Sequence, residues 1–547
     1  MFGKGLYGRI LIMRFARRQL LLCCISASAA ALPHTHGGHH YHHTGPSLCA
    51  HEATQRKTGG VRNLGYFFNT HVSYSDEEHG RHLEATSWAP IRIQLEYVPG
   101  ATSEVGVAKE AFLKETLLPA AQEWLQNALL VAPVSGALKA SRNCAQFWSL
   151  NDKCAEEAPT TCGVAPDGSD YALPAAVLAE LEVCSSSPAS GCSTSAAGAG
   201  VANADFMLFV SSVSTDSCSG GTLAYASTCQ RDGTGAQDWH GKDRPIVGYA
   251  NFCPDGLDTA AAEWATQKST AVHEILHALG FSSGSWPLFR NSDGSPMTPR
   301  EDDGLPALVS AGDMDCTNGS PSTENELEVS PTTLEVKPER GTTVTRLLTP
   351  RARSVARDIF GCATLRGPEL ENSPTTAGAC IASHWDQRLM MHELMAPMSS
   401  HTAVYSALTL AALEDSGWYK ANYTFTEPLL WGRGQGCAFV QEKCVGGAAG
   451  TQHGFCETAL APSAPHPASS TGCTPGHRAK GYCDLEEVGT IPEQYRYISG
   501  QPTMGGTSHT ADYCPHFNAW SNGQCGDSNN APATKYFPAA AQTLREP

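Results

Sequence analysis

The sequence predicts an α+β fold: a mixed sheet packed against one long helix, followed by a disulfide-rich, loop-rich C-terminal domain. Three observations predict it. Trp264 to Val272 runs without Gly or Pro into His273–His277, and Gly280 follows where a helix would end in a left-handed cap. Before it come Arg92–Tyr97, Asp205–Val210 and Pro245–Asn251, short stretches with the apolar content of strands. Finally, the chain has 21 cysteines, and beyond Asn422 they are dense while long apolar runs are few.

Taken in order, Arg14, Arg17 and Arg18 precede Leu20-Leu-Leu-Cys-Cys-Ile25 and a run of Ser and Ala. This is the pattern of a secretory signal, with Met13 as an alternative start and cleavage between Ala29 and Leu32. The apolar run is too short to span a bilayer, which takes about 20 residues. His34 to His43 is a low-complexity, His-rich spacer that could bind metal loosely. Residues 108–130 place Leu113, Leu117, Ala121, Trp124, Leu125, Ala128 and Leu129 at helical spacing, with Pro119 expected to kink the helix. Residues 140–200 read as disulfide-tied loops. The acidic, Pro- and Ser-rich stretch 290–345 reads as a long, partly disordered surface insertion. Regular structure is expected to return at Thr349–Cys362.

With 37 basic and 54 acidic residues the net charge is −17, and no basic cluster follows the signal, so nucleic acid is excluded as a partner. Asn318-Gly-Ser and Asn422-Tyr-Thr are glycosylation sequons. Loss of Cys23 and Cys24 with the signal leaves 19 cysteines, an odd number, so at least one has a task other than a bridge within the chain.

His273 and His277 stand four residues apart, so on a helix they share one face. Two imidazoles at this spacing can hold one Zn²⁺, with Glu274 beside them to act on a bound water. A catalytic zinc takes three protein ligands and keeps one open position. Gly280 stands three residues after His277, as in the metzincins, zinc peptidases whose chain turns back there to present a third His. Ser283 occupies the place where that His usually stands, so the third ligand comes from farther on. His384, His392 and His401 are the candidates, around Glu393-Leu-Met-Ala-Pro397, a stretch suited to a Met-turn at Met395. His392 is too close to Met395 to leave room for the turn, and His401 follows the methionine. His384 precedes it at a workable distance and is favoured. Gly280-Phe-Ser282-Ser-Gly284 also matches the nucleophile elbow of serine hydrolases. That elbow needs a strand before the serine, whereas a helix precedes Ser282.

Several further words extend this pattern: His273-Glu-Ile-Leu-His-Ala-Leu-Gly-Phe-Ser282, Phe360-Gly-Cys-Ala-Thr-Leu365, Ser383-His384, Glu393-Leu-Met-Ala-Pro397, Leu408-Thr-Leu410 and Trp431-Gly-Arg-Gly-Gln-Gly-Cys-Ala-Phe439. On these the chain resembles the leishmanolysin family of surface metallopeptidases, from about residue 90 to Cys525. The resemblance implies a metzincin-type catalytic domain and one Zn²⁺ on His273, His277 and His384. It implies Glu274 as the catalytic residue and Met395 in the Met-turn. It also implies a leader whose cysteine caps the metal. The corresponding stretch is Ser47-Leu-Cys49-Ala-His-Glu52, with Ser47 and Glu52 where the family has His and Asp. The interval between the second and third His is longer than usual in the family, and the excess falls in 290–345. With Cys49 set aside, 18 cysteines remain, 11 before residue 400 and seven after. If all of them pair, at least one bridge joins the two parts.

The organisation expected is a signal peptide over 1–31, a propeptide over 32–87, catalytic subdomains over 88–283 and 284–421, and a Cys-rich domain over 422–547. The function expected is a secreted or cell-surface zinc endopeptidase, made as a latent precursor and acting on protein or peptide substrates. The alternative is a secreted adhesion or binding protein with a vestigial peptidase site. Thr534 to Pro547 lacks the apolar tail of a lipid-anchor signal. Oligomeric state and substrate preference are not legible.

Overall fold

The stretches that read as strands become the centre of one sheet. The computed structural model describes residues 88–148, 153–232, 242–302, 304–310, 325–372, 382–400, 402–446, 454–459 and 470–524. Strand β1 (Ile93–Tyr97) leads to a helical segment ending in α1 (Leu118–Ala128). Strands β2 (Phe206–Ser211), β3 (Ala224–Arg231) and β4 (Pro245–Phe252) complete a sheet of order β3-β4-β2-β1. β2 runs parallel to β1 and β4, while β3 closes one edge antiparallel to β4. All of β2 and β4 is buried, so both faces are covered and neither strand alternates apolar with polar.

Helix α2 (Trp264–Ala278) packs on β3 and β4 and buries Ala271, Val272, Ile275 and Leu276. Each such Val, Ile or Leu contributes roughly 1.5–3 kcal/mol. Gly248 of β4 allows the close approach. A Cβ there would lie 2.8 Å from Phe206 Cζ, 2.9 Å from the Ser227 oxygen and 3.0 Å from Ala278 Cβ. Gly280, at φ +110°, ends α2 as the sequence predicts, and a Cβ there would meet the Trp418 ring at 2.9 Å.

Two expectations are corrected, and the one at Pro119 gains detail. A π-helical stretch, Phe112–Leu117, precedes α1, and Pro119 falls in the first turn of α1. The wider turns take up the clash that the proline ring would make with the carbonyl four residues back. The region 140–200 is not loops alone. Asn143–Phe147, Cys154–Ala158, Leu181–Ser187 and Ser190–Ser195 form a four-stranded sheet stapled by Cys144–Cys154 and Cys184–Cys192. Its strands are largely exposed and stapled by bridges, so they lack the apolar signal of core strands. The stretch 290–345 is not all surface insertion either. β5 (Leu334–Glu339) and β6 (Thr342–Leu347) form a hairpin that buries Leu334, Val344 and Leu347. Residues 311–324 lie outside the described residues.

Helix α3 (Pro350–Phe360) follows, capped by Gly361 at φ +68°. β7 (Glu369–Leu370) extends the β5–β6 hairpin, and α4 (Ala407–Asp415) packs on α3. Among the described residues, Cys362–Cys437 joins the parts before and after residue 400, as expected. Cys162–Cys229, Cys218–Cys253, Cys444–Cys514 and Cys456–Cys483 also pair, and Cys473 has no bridge to another described cysteine. Cys316, Cys380 and Cys525 lie outside the described residues. No described helix is long and apolar enough to cross a membrane.

Candidate metal centre

His273 and His277 project from the same face of α2, as their spacing dictates, and His384 arrives from a segment 107 residues beyond His277. His277 Nε2 lies 3.0 Å from His273 Nε2 and 3.2 Å from His384 Nε2. Among the described residues these three form a buried group whose ligand atoms all lie within 4.8 Å of one another. Each ring is tied at its other nitrogen. His273 Nδ1 donates to the Leu394 carbonyl at 2.6 Å, His277 Nδ1 to the Phe281 carbonyl at 2.7 Å, and His384 Nδ1 to Glu371 Oε2 at 3.0 Å. With the protons on Nδ1, three Nε2 lone pairs face one another and would repel without a cation. Zinc–nitrogen bonds of about 2.05 Å in a tetrahedron put ligand nitrogens about 3.3 Å apart, so the rings fit such an ion. Burial first, and then the neighbouring His384, push His273 down to about 3, which keeps it a neutral donor.

The stretch Glu393–Pro397 borders these rings. Ala396 N–H closes a turn onto the Glu393 carbonyl at 3.0 Å, and Met395 within it is fully buried. The Leu394 carbonyl accepts the hydrogen bond from His273 Nδ1, while the Met395 carbonyl accepts from Trp385 N–H at 3.0 Å. One short turn therefore touches the first ligand and the neighbour of the third. Glu274 is buried and lines, with His273, a cavity that opens beside the rings. Leu223, Ala224, Leu394, Ala396 and Pro397 form its apolar wall, and Ser269, Thr270 and His392 add polar groups.

The structure thus brings His273, Glu274, His277, His384 and Met395 together. His392 faces the cavity but is not in the converging group, and His401 lies outside the described residues, as do Cys49, the His-rich segment and Asn318. Asn422 is half-buried. Its Nδ2 donates to the Asn127 carbonyl at 3.1 Å, and its Oδ1 accepts from Thr424 Oγ1 at 2.7 Å. Ser282 follows the C-terminal end of α2 with its hydroxyl 2.7 Å from that of Ser285, not the exposed elbow of a serine nucleophile. Sequence reasoning missed Glu371 and Glu393. Glu371 meets a ring 13 residues on, and Glu393 joins its own turn to hydroxyls 13 and 16 residues on, contacts that no local spacing marks.

A sequence profile of the leishmanolysin peptidases matches residues 175–296 and 323–544. The leishmanolysin-like peptidase of Drosophila melanogaster is 32% identical over 468 residues, covering 78% of this chain and 63% of that protein. A ciliated left-right organizer metallopeptidase of Mus musculus is 30% identical over 461 residues, with 80% and 57% covered. Leishmanolysin of Leishmania donovani is 28% identical over 328 residues, with 60% and 45% covered. The chain spans less than two thirds of the length of these relatives.

Proposed function

Since the chain belongs to the leishmanolysin family, we propose that it is a zinc endopeptidase with a metzincin-type catalytic domain, exported as a latent precursor. One observation carries the reading: three buried imidazoles from two distant segments converge through Nε2, with Glu274 in the wall of the adjoining cavity. His273, His277 and His384 would hold the ion. Bound there, zinc supplies a Lewis acid for the scissile carbonyl and lowers the pKa of water towards about 7. Glu274 takes the proton from the attacking water and delivers it to the departing amine. The turn at Met395 holds the His273 ring through the Leu394 carbonyl and the backbone beside His384 through the Met395 carbonyl, and the apolar wall limits access of bulk water.

The test is Glu274→Ala, assayed on casein with zinc content measured in parallel. The variant should keep stoichiometric zinc and lose cleavage by roughly 10²- to 10⁴-fold, and 1,10-phenanthroline should silence the wild type. Retained cleavage in the variant sinks the assignment. The proposed leader, with Cys49 in the open metal position, is checked in the same assay: activity should appear only when N-terminal sequencing shows that Cys49 is gone. Zinc bound without cleavage, leader removed, would favour the secreted binding protein instead. Glycans on Asn318 and Asn422 belong to the same exported reading, and glycosidase treatment should then increase the gel mobility of the secreted protein.

A further inference from the structure

We propose that Glu371 is a positioning residue for the metal: its carboxylate fixes the tautomer and orientation in which His384 presents Nε2. The proposal rests on the metal-centre reading above and adds a residue that the zinc motif does not contain. His273 and His277 are aligned by the backbone of α2, but His384 has no helix behind it. What it has is a short antiparallel pairing. Glu371 N–H donates to the His384 carbonyl at 2.9 Å, Asp386 N–H to the Glu369 carbonyl at 3.0 Å, and Leu370 faces Trp385 between them. Residues directly opposed in such a ladder project to the same face. The ring and the carboxylate therefore meet, Nδ1 to Oε2 at 3.0 Å, with His384 2% and Glu371 8% exposed.

The acceptor type sets this ligand apart. The other two rings donate to neutral carbonyls, whereas His384 donates to a carboxylate. A charge-assisted bond is roughly twice as strong as a neutral one. It holds the proton on Nδ1, blocks the flipped ring and raises the basicity of Nε2. Glu371 is itself well placed to act as a fixed point. Glu369, two residues away on the same strand face, is gripped by Arg340 at 2.7 Å and Arg346 at 2.6 Å.

The experiment compares the full-length wild type with Glu371→Gln, Glu371→Ala and His384→Ala. Zinc affinity is measured by competition with a chromophoric chelator, and melting temperature is recorded with and without zinc. Glu371→Ala should bind zinc roughly 10- to 100-fold more weakly. Glu371→Gln, which keeps an acceptor without the charge, should fall between it and the wild type. The zinc-induced rise in melting temperature should shrink in the same order, and the visible spectrum of a cobalt-substituted variant should change. A merely structural residue would lower both melting temperatures alike and leave affinity and spectrum intact, which would overturn the proposal. If Glu371→Ala does not fold, Glu371→Gln carries the comparison. Wild-type affinity in Glu371→Gln and Glu371→Ala, with loss in His384→Ala, overturns the role of Glu371 alone. A wild type that binds no zinc, and matches His384→Ala, overturns the metal centre itself.

Discussion

Glu393 is a carboxylate held wholly by protein donors. Ser406 Oγ and Thr409 Oγ1 donate to Oε1 at 2.6 and 2.7 Å, and Met395 N–H donates to Oε2. It therefore pins the turn under the candidate metal centre to the first turn of α4. The three donors favour its charged form, but burial outweighs them and pushes the group from 4.5 up to about 7. The sign of the linkage follows. A folded-state pKa above the unfolded one gives stability that is complete below about pH 4.5 and lost as pH rises through about 7. Glu393→Gln removes the titration while nearly preserving shape. The stability of wild type minus that of Glu393→Gln should then fall between pH 5 and pH 8, by at most about 3 kcal/mol. Urea denaturation across that range measures it, and a pH-independent difference would show that the carboxylate is ionised throughout.

At the scale of elements, what could be read in the sequence was what burial writes into it. β2, β4 and α2 are apolar because the sheet is covered and the helix lies on it, and each was predicted within one or two residues of its observed ends. The β5–β6 hairpin was not legible. Its interior includes Glu335 and Arg346, with Glu369 from β7, so ion pairs replace the apolar alternation by which strands are recognised. The site was legible where spacing is local, as in His273, Glu274 and His277, and His384 followed from its order relative to Met395. Glu371 and Glu393 were hidden because His384, Ser406 and Thr409 are brought to them by tertiary pairing. The seat of α2 on β4 is likewise a matter of one atom. Gly248→Ala would press a methyl group against the Ser227 carbonyl, which the β3–β4 ladder holds in place. Overpacking of this kind costs about 1–3 kcal/mol. Its melting temperature should drop, and zinc affinity should drop with it because α2 carries two of the rings. An unchanged melting temperature would mean that the helix lifts freely.

Across the whole molecule, the part before residue 400 and the Cys-rich part after it are joined by more than the Cys362–Cys437 bridge. Arg388, fully buried, donates to the carbonyls of Phe439 and Val440 at 3.0 and 3.2 Å. Arg340 reaches Glu369 at 2.7 Å and Asp512 at 3.4 Å, linking β7, which Glu371 follows, to the C-terminal part. Arg340 also breaks a local rule. It occupies the two-residue turn between β5 and β6 at φ +47°, followed by Gly341 at φ +90°, where Asn-Gly is the favoured pair. A left-handed conformation costs a residue such as Arg about 1–2 kcal/mol. Removing one partner of a buried charge cluster costs about 3–5 kcal/mol. The second effect is larger, so Arg340→Asn should relieve the turn and still destabilise the protein, by about 1–4 kcal/mol net. Denaturation with the disulfides intact reads the sign directly. A variant as stable as the wild type would show that backbone strain cancels the ion pairs, and that the link between the two parts rests on the disulfide and on Arg388.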